Sequence, residues 1–138
     1  MPPWEHFFHV ADIGVRGIGS TLEEAFENTA LAMTAVIVEP DRVAGKKQIS
    51  LRVTAADREL LLTEWLNALI YEMAYRHMLF RRFQVEIEGL TLHGRAWGES
   101  VDEVKHRPAV EVKGATFTQL KVYKTASGSW IAQCVVDV

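Results

Sequence analysis

The run Trp130-Ile131-Ala132-Gln133-Cys134-Val135-Val136 is apolar on both faces of the pleat. A strand with that pattern belongs inside a sheet, with a neighbour on either side and a layer over each face. It fixes Asp137 at the strand's end, beside Val138. Near the other end of the chain, His9-Val10-Ala11-Asp12-Ile13-Gly14-Val15 is an acidic break between two strand-like runs, Trp4 to Val10 and Ile13 to Gly19. If both strands lie in one sheet, the Asp12, Asp137 and terminal carboxylates converge. Like charges that close repel by several kcal/mol. So either the two aspartates lie far apart, each capping a turn, or they share a hard cation.

The remaining pattern supplies the layers. Trp4, His6, Phe8 and Val10 alternate with Glu5, Phe7 and His9, which sets His6 and His9 on opposite faces of a strand. Glycines at 14, 17 and 19 predict a bulge, a tight turn or a close backbone approach. Ser20-x-x-Glu23 reads as a capping box. Leu22, Ala25, Phe26, Ala30, Met33, Val36 and Ile37 then recur at helical spacing until Pro40 stops the chain near Val38, with Glu23, Glu24, Glu27 and Asn28 on a solvated face. Gln48 to Val53 alternates as a strand. Thr54, with Asp57 three residues on, caps a second helix, whose stripe Leu62, Trp65, Leu66, Leu69, Ile70 and Met73 predicts the central core helix, ending near His77.

Phe83 to Ile87 and Leu90 to Ala96 form a hairpin about Glu88-Gly89. The segment 98–108 reads as a loop with one helical turn, and it holds a dense cluster of Glu99, Asp102, Lys105 and His106. One long or two short strands follow over 110–118 and 120–124, and Ala126 to Ser129 turns the chain into its last strand. The sum is an α+β fold, a single domain over residues 1–138, with a mostly antiparallel or mixed sheet and two main helices packed on one face.

Composition narrows the chemistry. A net charge of -3 gives no global basic bias, so nucleic-acid contact is not required of this chain. One cysteine, Cys134, excludes an internal disulfide and a thiolate metal cluster. No basic leader precedes an apolar segment, and no run reaches the roughly 18 apolar residues of a membrane span, so a cytoplasmic protein without membrane contact is expected. The five histidines show no zinc-ligand spacing. No Gly-x-Ser-x-Gly elbow and no Walker-type loop is present.

His9-x-Ala11-Asp12-x-Gly14-Val15, the segment Gly19 to Asn28 with Ala30-Leu31-Ala32-Met33, Trp65-Leu66-Asn67-x-Leu69, Gly98-Glu99, Asp102 with Lys105-His106, Glu111-Val112-Lys113-x-Ala115-Thr116 and the closing Val136-Asp137-Val138 together resemble the archease family over essentially the whole chain. Gly114 and Phe117 depart from it mildly. The resemblance implies a protein cofactor, not an enzyme, of the RNA-splicing ligase that joins RNA ends with GTP and manganese, promoting guanylylation and multiple turnover of that ligase in tRNA splicing or RNA repair. It further implies that Asp12, Asp137 and Val138 bind a divalent cation, calcium with magnesium as the alternative. His9, Glu111 and Lys113 then stand beside the metal or at the partner contact, although ordinary exposed cross-strand charges account for Glu111 and Lys113 equally well. Two other functions fit the same residues: a metal-dependent phosphoester hydrolase assisted by His106 or Lys113, and a chaperone-like binder of a tRNA methyltransferase.

Overall fold

In the computed structural model of the chain, residues 2–9 and 12–138 are described. Val10 and Ala11, within the first predicted strand and its acidic break, lie outside them. The apolar C-terminal run forms β8 (Trp130–Asp137), flanked as its pattern requires. On one side lies β2 (Asp12–Gly19), itself paired with β1 (Trp4–His9); on the other lie β6 (Gly114–Ala115) and β7 (Lys121–Lys124). All of these pairings are antiparallel, and they make up sheet A. The pairing with β2 runs in unbroken register from Ile13 opposite Val136 to Gly19 opposite Trp130. Every residue from Ile131 to Val136 is buried.

A second antiparallel sheet, B, holds β3 (Lys47–Thr54), β4 (Met78–Glu88) and β5 (Thr91–Ser100) in the order β3-β5-β4. The α+β class with two main helices stands, but the strands expected in one sheet divide into two. Ile49 and Val85 therefore sit in a different sheet from Val135. The segment 110–113, read as strand, is irregular, and only Gly114 and Ala115 of that stretch pair with β8.

Helix α1 (Leu22–Ile37) lies on β2 and β8. What allows so close an approach is Gly17, where an added Cβ would stand 2.1 Å from the Ala25 carbonyl oxygen and 2.3 Å from the Thr29 nitrogen. Gly17 and Gly19 thus mark helix-on-strand contact, Gly14 makes room for the Phe7 ring, and the ladders of β2 hold no bulge. The N-cap falls one residue later than the sequence suggested. Thr21 Oγ1 accepts from the Glu24 amide at 3.1 Å, and Glu24 Oε1 accepts from the Ser20 amide at 2.9 Å.

Helix α2 (Arg58–Arg76) is capped by Asp57 and not by Thr54, which ends β3; the Asp57 carboxylate accepts from the Leu60 amide at 2.8 Å, and the helix ends on His77 in the left-handed region (φ 52°). Leu62, Trp65, Leu66 and Leu69 are fully buried. Trp65 joins the two helices by donating Nε1–H to the Phe26 carbonyl at 3.2 Å. Truncating a tryptophan so placed costs about 3–5 kcal/mol. Beyond Leu69 the helix outruns its cover: Met73, predicted as core, is half-exposed, and Tyr71 and Tyr75 stack in solvent with centroids 5.7 Å apart. Glu27, predicted on the solvated face of α1, instead turns inward. Its carboxylate accepts from the Val85 amide at 2.8 Å on the edge strand of sheet B, and burial pushes its pKa up.

Candidate functional site

The register of sheet A decides whether the two aspartates meet. Ile13 pairs with Val136, and the next positions outward are Asp12, first residue of β2, and Asp137, last residue of β8. One further step of the ladder, beyond the last pair, would set them opposite each other. Cβ atoms in such positions lie about 4.5–5.5 Å apart, within reach of one ion. His9 pairs with Asp12 across β1, and Gly114 pairs with Asp137 across β6. Residues directly opposite in antiparallel strands share a face. His9, Asp12 and Asp137 therefore form one row across three strands, on the face away from α1.

The ends around this row are close as well. The Lys113 amide donates to the Asp137 carbonyl at 2.7 Å, which holds residues 111–113 against the end of β8 beside Val138. The Lys113 and Glu111 side chains are both exposed. Glu111 lines a groove of about 540 Å³ together with Ile70, Met73, His77, Val101 and Val112. His9, Asp12, Asp137, Val138 and the Lys113 backbone thus lie at one end of sheet A, whereas Glu111 faces the groove beside α2. His6 points the other way, its Nε2 hydrogen-bonded to the Ala32 carbonyl at 2.8 Å on α1.

The electrostatics of the row suit a cation. Asp12 is half-buried and Asp137 exposed, and neither enters an ion pair among the described residues. The nearest cation along the strand, Arg16, is committed elsewhere: it pairs with Glu5, donates to Gln133 Oε1 at 2.8 Å and lies over the Phe7 ring. No group of three or more His, Cys, Asp or Glu side chains capable of holding a metal occurs among the described residues. An ion here would take two carboxylates and fill its shell with main-chain oxygen, that of Val138 included, or water. That donor set is all hard oxygen, which fits calcium or magnesium and disfavours zinc.

A second polar cluster was legible in the sequence only as a dense loop. Glu99, at the end of β5, turns inward with 11% of its side chain exposed. Its Oε2 accepts from Lys105 Nζ (2.6 Å), the Ala44 amide (2.8 Å) and His106 Nε2 (2.9 Å). The short helix α3 (Glu103–His106), capped by Asp102, presents the last of these. Because His106 Nδ1 accepts from the Asp102 amide at 2.8 Å, the proton is on Nε2 and the neutral ring donates to Glu99. Lys105 first, then the Ala44 amide and His106, hold the Glu99 carboxyl down to about 2. His106 is fully buried with both nitrogens engaged, so it cannot assist a reaction at a surface cation. The cluster is a clamp joining the end of β5 to the 44–46 and 101–107 loops.

The family model described as Archease protein family (MTH1598/TM1083) matches residues 4–138. Protein archease of Pyrococcus furiosus is 42% identical over 142 residues, covering all of both chains. Protein archease of Methanosarcina mazei is 39% identical over 140 residues, covering 98% of this chain and 95% of that one. Among solved structures, the solution structure of Methanobacterium thermoautotrophicum protein 1598 superposes with a TM-score of 0.87 at 34% identity over the full length of both. The Thermotoga maritima archease, described as a possible chaperone, shares the fold at a TM-score of 0.61 and 16% identity, covering 96% of this chain and 94% of its own. A family model matching residues 4–138, full-length relatives about 40% identical and a shared fold lead to one assignment: this chain belongs to the archease family.

Proposed function

We propose that this protein is a non-catalytic activator of the GTP-dependent RNA-splicing ligase, acting in tRNA splicing or RNA repair through a divalent cation held by Asp12, Asp137 and Val138. The observation that supports this reading is the β2–β8 register, whose last pair, Ile13 with Val136, leaves Asp12 and Asp137 as the next positions outward, neither in an ion pair among the described residues. A cation there offsets the repulsion of the two carboxylates and presents positive charge at an exposed sheet end. Around it, His9 orients Asp12 across β1, and Lys113 and Glu111 contact the partner. The phosphoester-hydrolase alternative is weakened by the burial of His106. Chaperone-like binding of a tRNA methyltransferase keeps one observation in its favour, the exposed Tyr71–Tyr75 pair beside an apolar groove.

The test is ligase turnover with substrate in excess. Wild-type protein raises the number of turnovers per ligase, Asp12→Ala and Asp137→Ala do not, and Lys113→Ala fails although it melts within about 1 kcal/mol of wild type, as exposed charges do. Full activation by the Asp137→Ala protein refutes the reading. Phosphate-ester turnover that depends on Asp12 favours the hydrolase in its place.

A further inference from the structure

The solvent face of sheet B carries a pattern that the cation site does not explain. Its central strand, β5, turns His93, Arg95 and Trp97 outward, while Leu92 and Ala96 fill the core on the other side. The register sets three rows across the sheet: Gln48-Trp97-Arg82, Ser50-Arg95-Gln84 and Arg52-His93-Glu86. The arginines therefore step diagonally, Arg82 on β4, Arg95 on β5 and Arg52 on β3. Each step is one strand and two residues, or about 8 Å between Cα atoms. None of the three enters an ion pair among the described residues. Arg82 Cζ lies 4.0 Å from the centroid of the Trp97 ring. Beside this pair opens a depression of about 440 Å³ whose polar lining is Ser50, Gln84, Glu86, Glu88, His93 and Arg95.

We propose that this face binds single-stranded RNA. Arg52, Arg95 and Arg82 take successive phosphates along the diagonal. A base stacks on the Arg82–Trp97 layer, since both guanidinium planes and aromatic rings serve as platforms for unpaired bases. The depression then receives the edge of a neighbouring base, where Ser50, Gln84 and His93 supply donors and acceptors. An acidic protein segment would satisfy the arginines but would leave the stacking layer unused. The net charge of -3 belongs to the whole molecule and does not oppose a local diagonal of three cations. That the polymer is RNA rests on the ligase reading above; the platform itself does not.

The test is fluorescence anisotropy of a labelled twelve-residue oligouridylate with the purified chain and no ligase, so its outcome is independent of ligase activation. Three phosphate contacts on a single strand give a slope of roughly -2 in log Kd-derived affinity against log salt, a weakening of about 18-fold between 50 and 200 mM. Arg52→Glu combined with Arg95→Glu should weaken binding at least tenfold with an unchanged melting curve, and Trp97→Ala about five- to 150-fold. Lys121→Glu with Lys124→Glu on sheet A changes the net charge equally and should leave binding intact. No binding at 50 mM salt, equal loss in the Lys121/Lys124 variant, or tighter binding of an oligoglutamate peptide than of oligouridylate overturns the proposal.

Discussion

Replacing Glu99 by glutamine keeps the shape of the buried clamp and removes its charge. Three donors converge on Glu99 Oε2 at 2.6–2.9 Å, and together they depress the carboxyl from its ordinary 4.5 to about 2. At 1.36 kcal/mol per pH unit this corresponds to about 3 kcal/mol, and the partial exposure of the Lys105 arm (44%) discounts it to about 2 kcal/mol. Unfolding entropy for a chain of this length converts 1 kcal/mol into about 3.4 °C, so Glu99→Gln should melt about 7 °C lower at neutral pH. The sign of the pH dependence follows from the depressed carboxyl. Its stabilisation is complete above 4.5 and fades as pH falls from there towards 2. Thermal melts of both proteins should therefore differ by about 7 °C at pH 7 and by only about 3 °C at pH 3. A gap under 2 °C at pH 7, or one that persists in full at pH 3, would show that the three donors do not act on an ionised carboxylate.

Calcium at a hundredfold excess over its Kd should stabilise the protein by about 2.7 kcal/mol, or about 9 °C, with the effect absent in Asp12→Asn; a calcium-insensitive wild-type melt would count against the cation site. Gly17→Ala sets a methyl against the backbone of α1 and should cost about 3 kcal/mol or more in denaturant unfolding, whereas a near-neutral result would mean that α1 stands further from β2. Burial pushes the Cys134 thiol up to about 12, so a thiol reagent at pH 8 should modify the unfolded chain rapidly and the native one negligibly; fast native labelling would contradict the interior position of β8.

Much of this was legible in the residues. The two-faced apolar run at Ile131 to Val136 demanded an interior strand, and the Leu62-to-Leu69 stripe placed α2 and its end near His77, although its cap falls on Asp57 and not on Thr54. The division into two sheets was not legible, because alternation reports that a strand exists and says nothing of which strand it pairs with. Glu27 misled for a related reason. Its helical phase is that of a solvated residue, and only the edge of β4, far along the chain, supplies the amide that draws it inward. The convergence of Asp12 and Asp137 needed one pairing, β2 with β8, that no local pattern encodes, so the resemblance carried that expectation. The Arg52–Arg95–Arg82 diagonal was invisible for the same reason, since it exists only once three strands are in register.

The middle position of β8 in sheet A bears on how the chain comes off the ribosome. The β4–β5 hairpin and α2 are local in sequence and can settle while synthesis continues, but β2 must wait for a partner made more than a hundred residues later. Until then α1 has only part of its sheet to lie on, and its apolar face is open to chaperones and to misassociation. The pairing that finally closes sheet A is also the one that brings Asp12 up to Asp137. A partner that recognises that pair, or an ion held by it, engages only molecules that have finished folding.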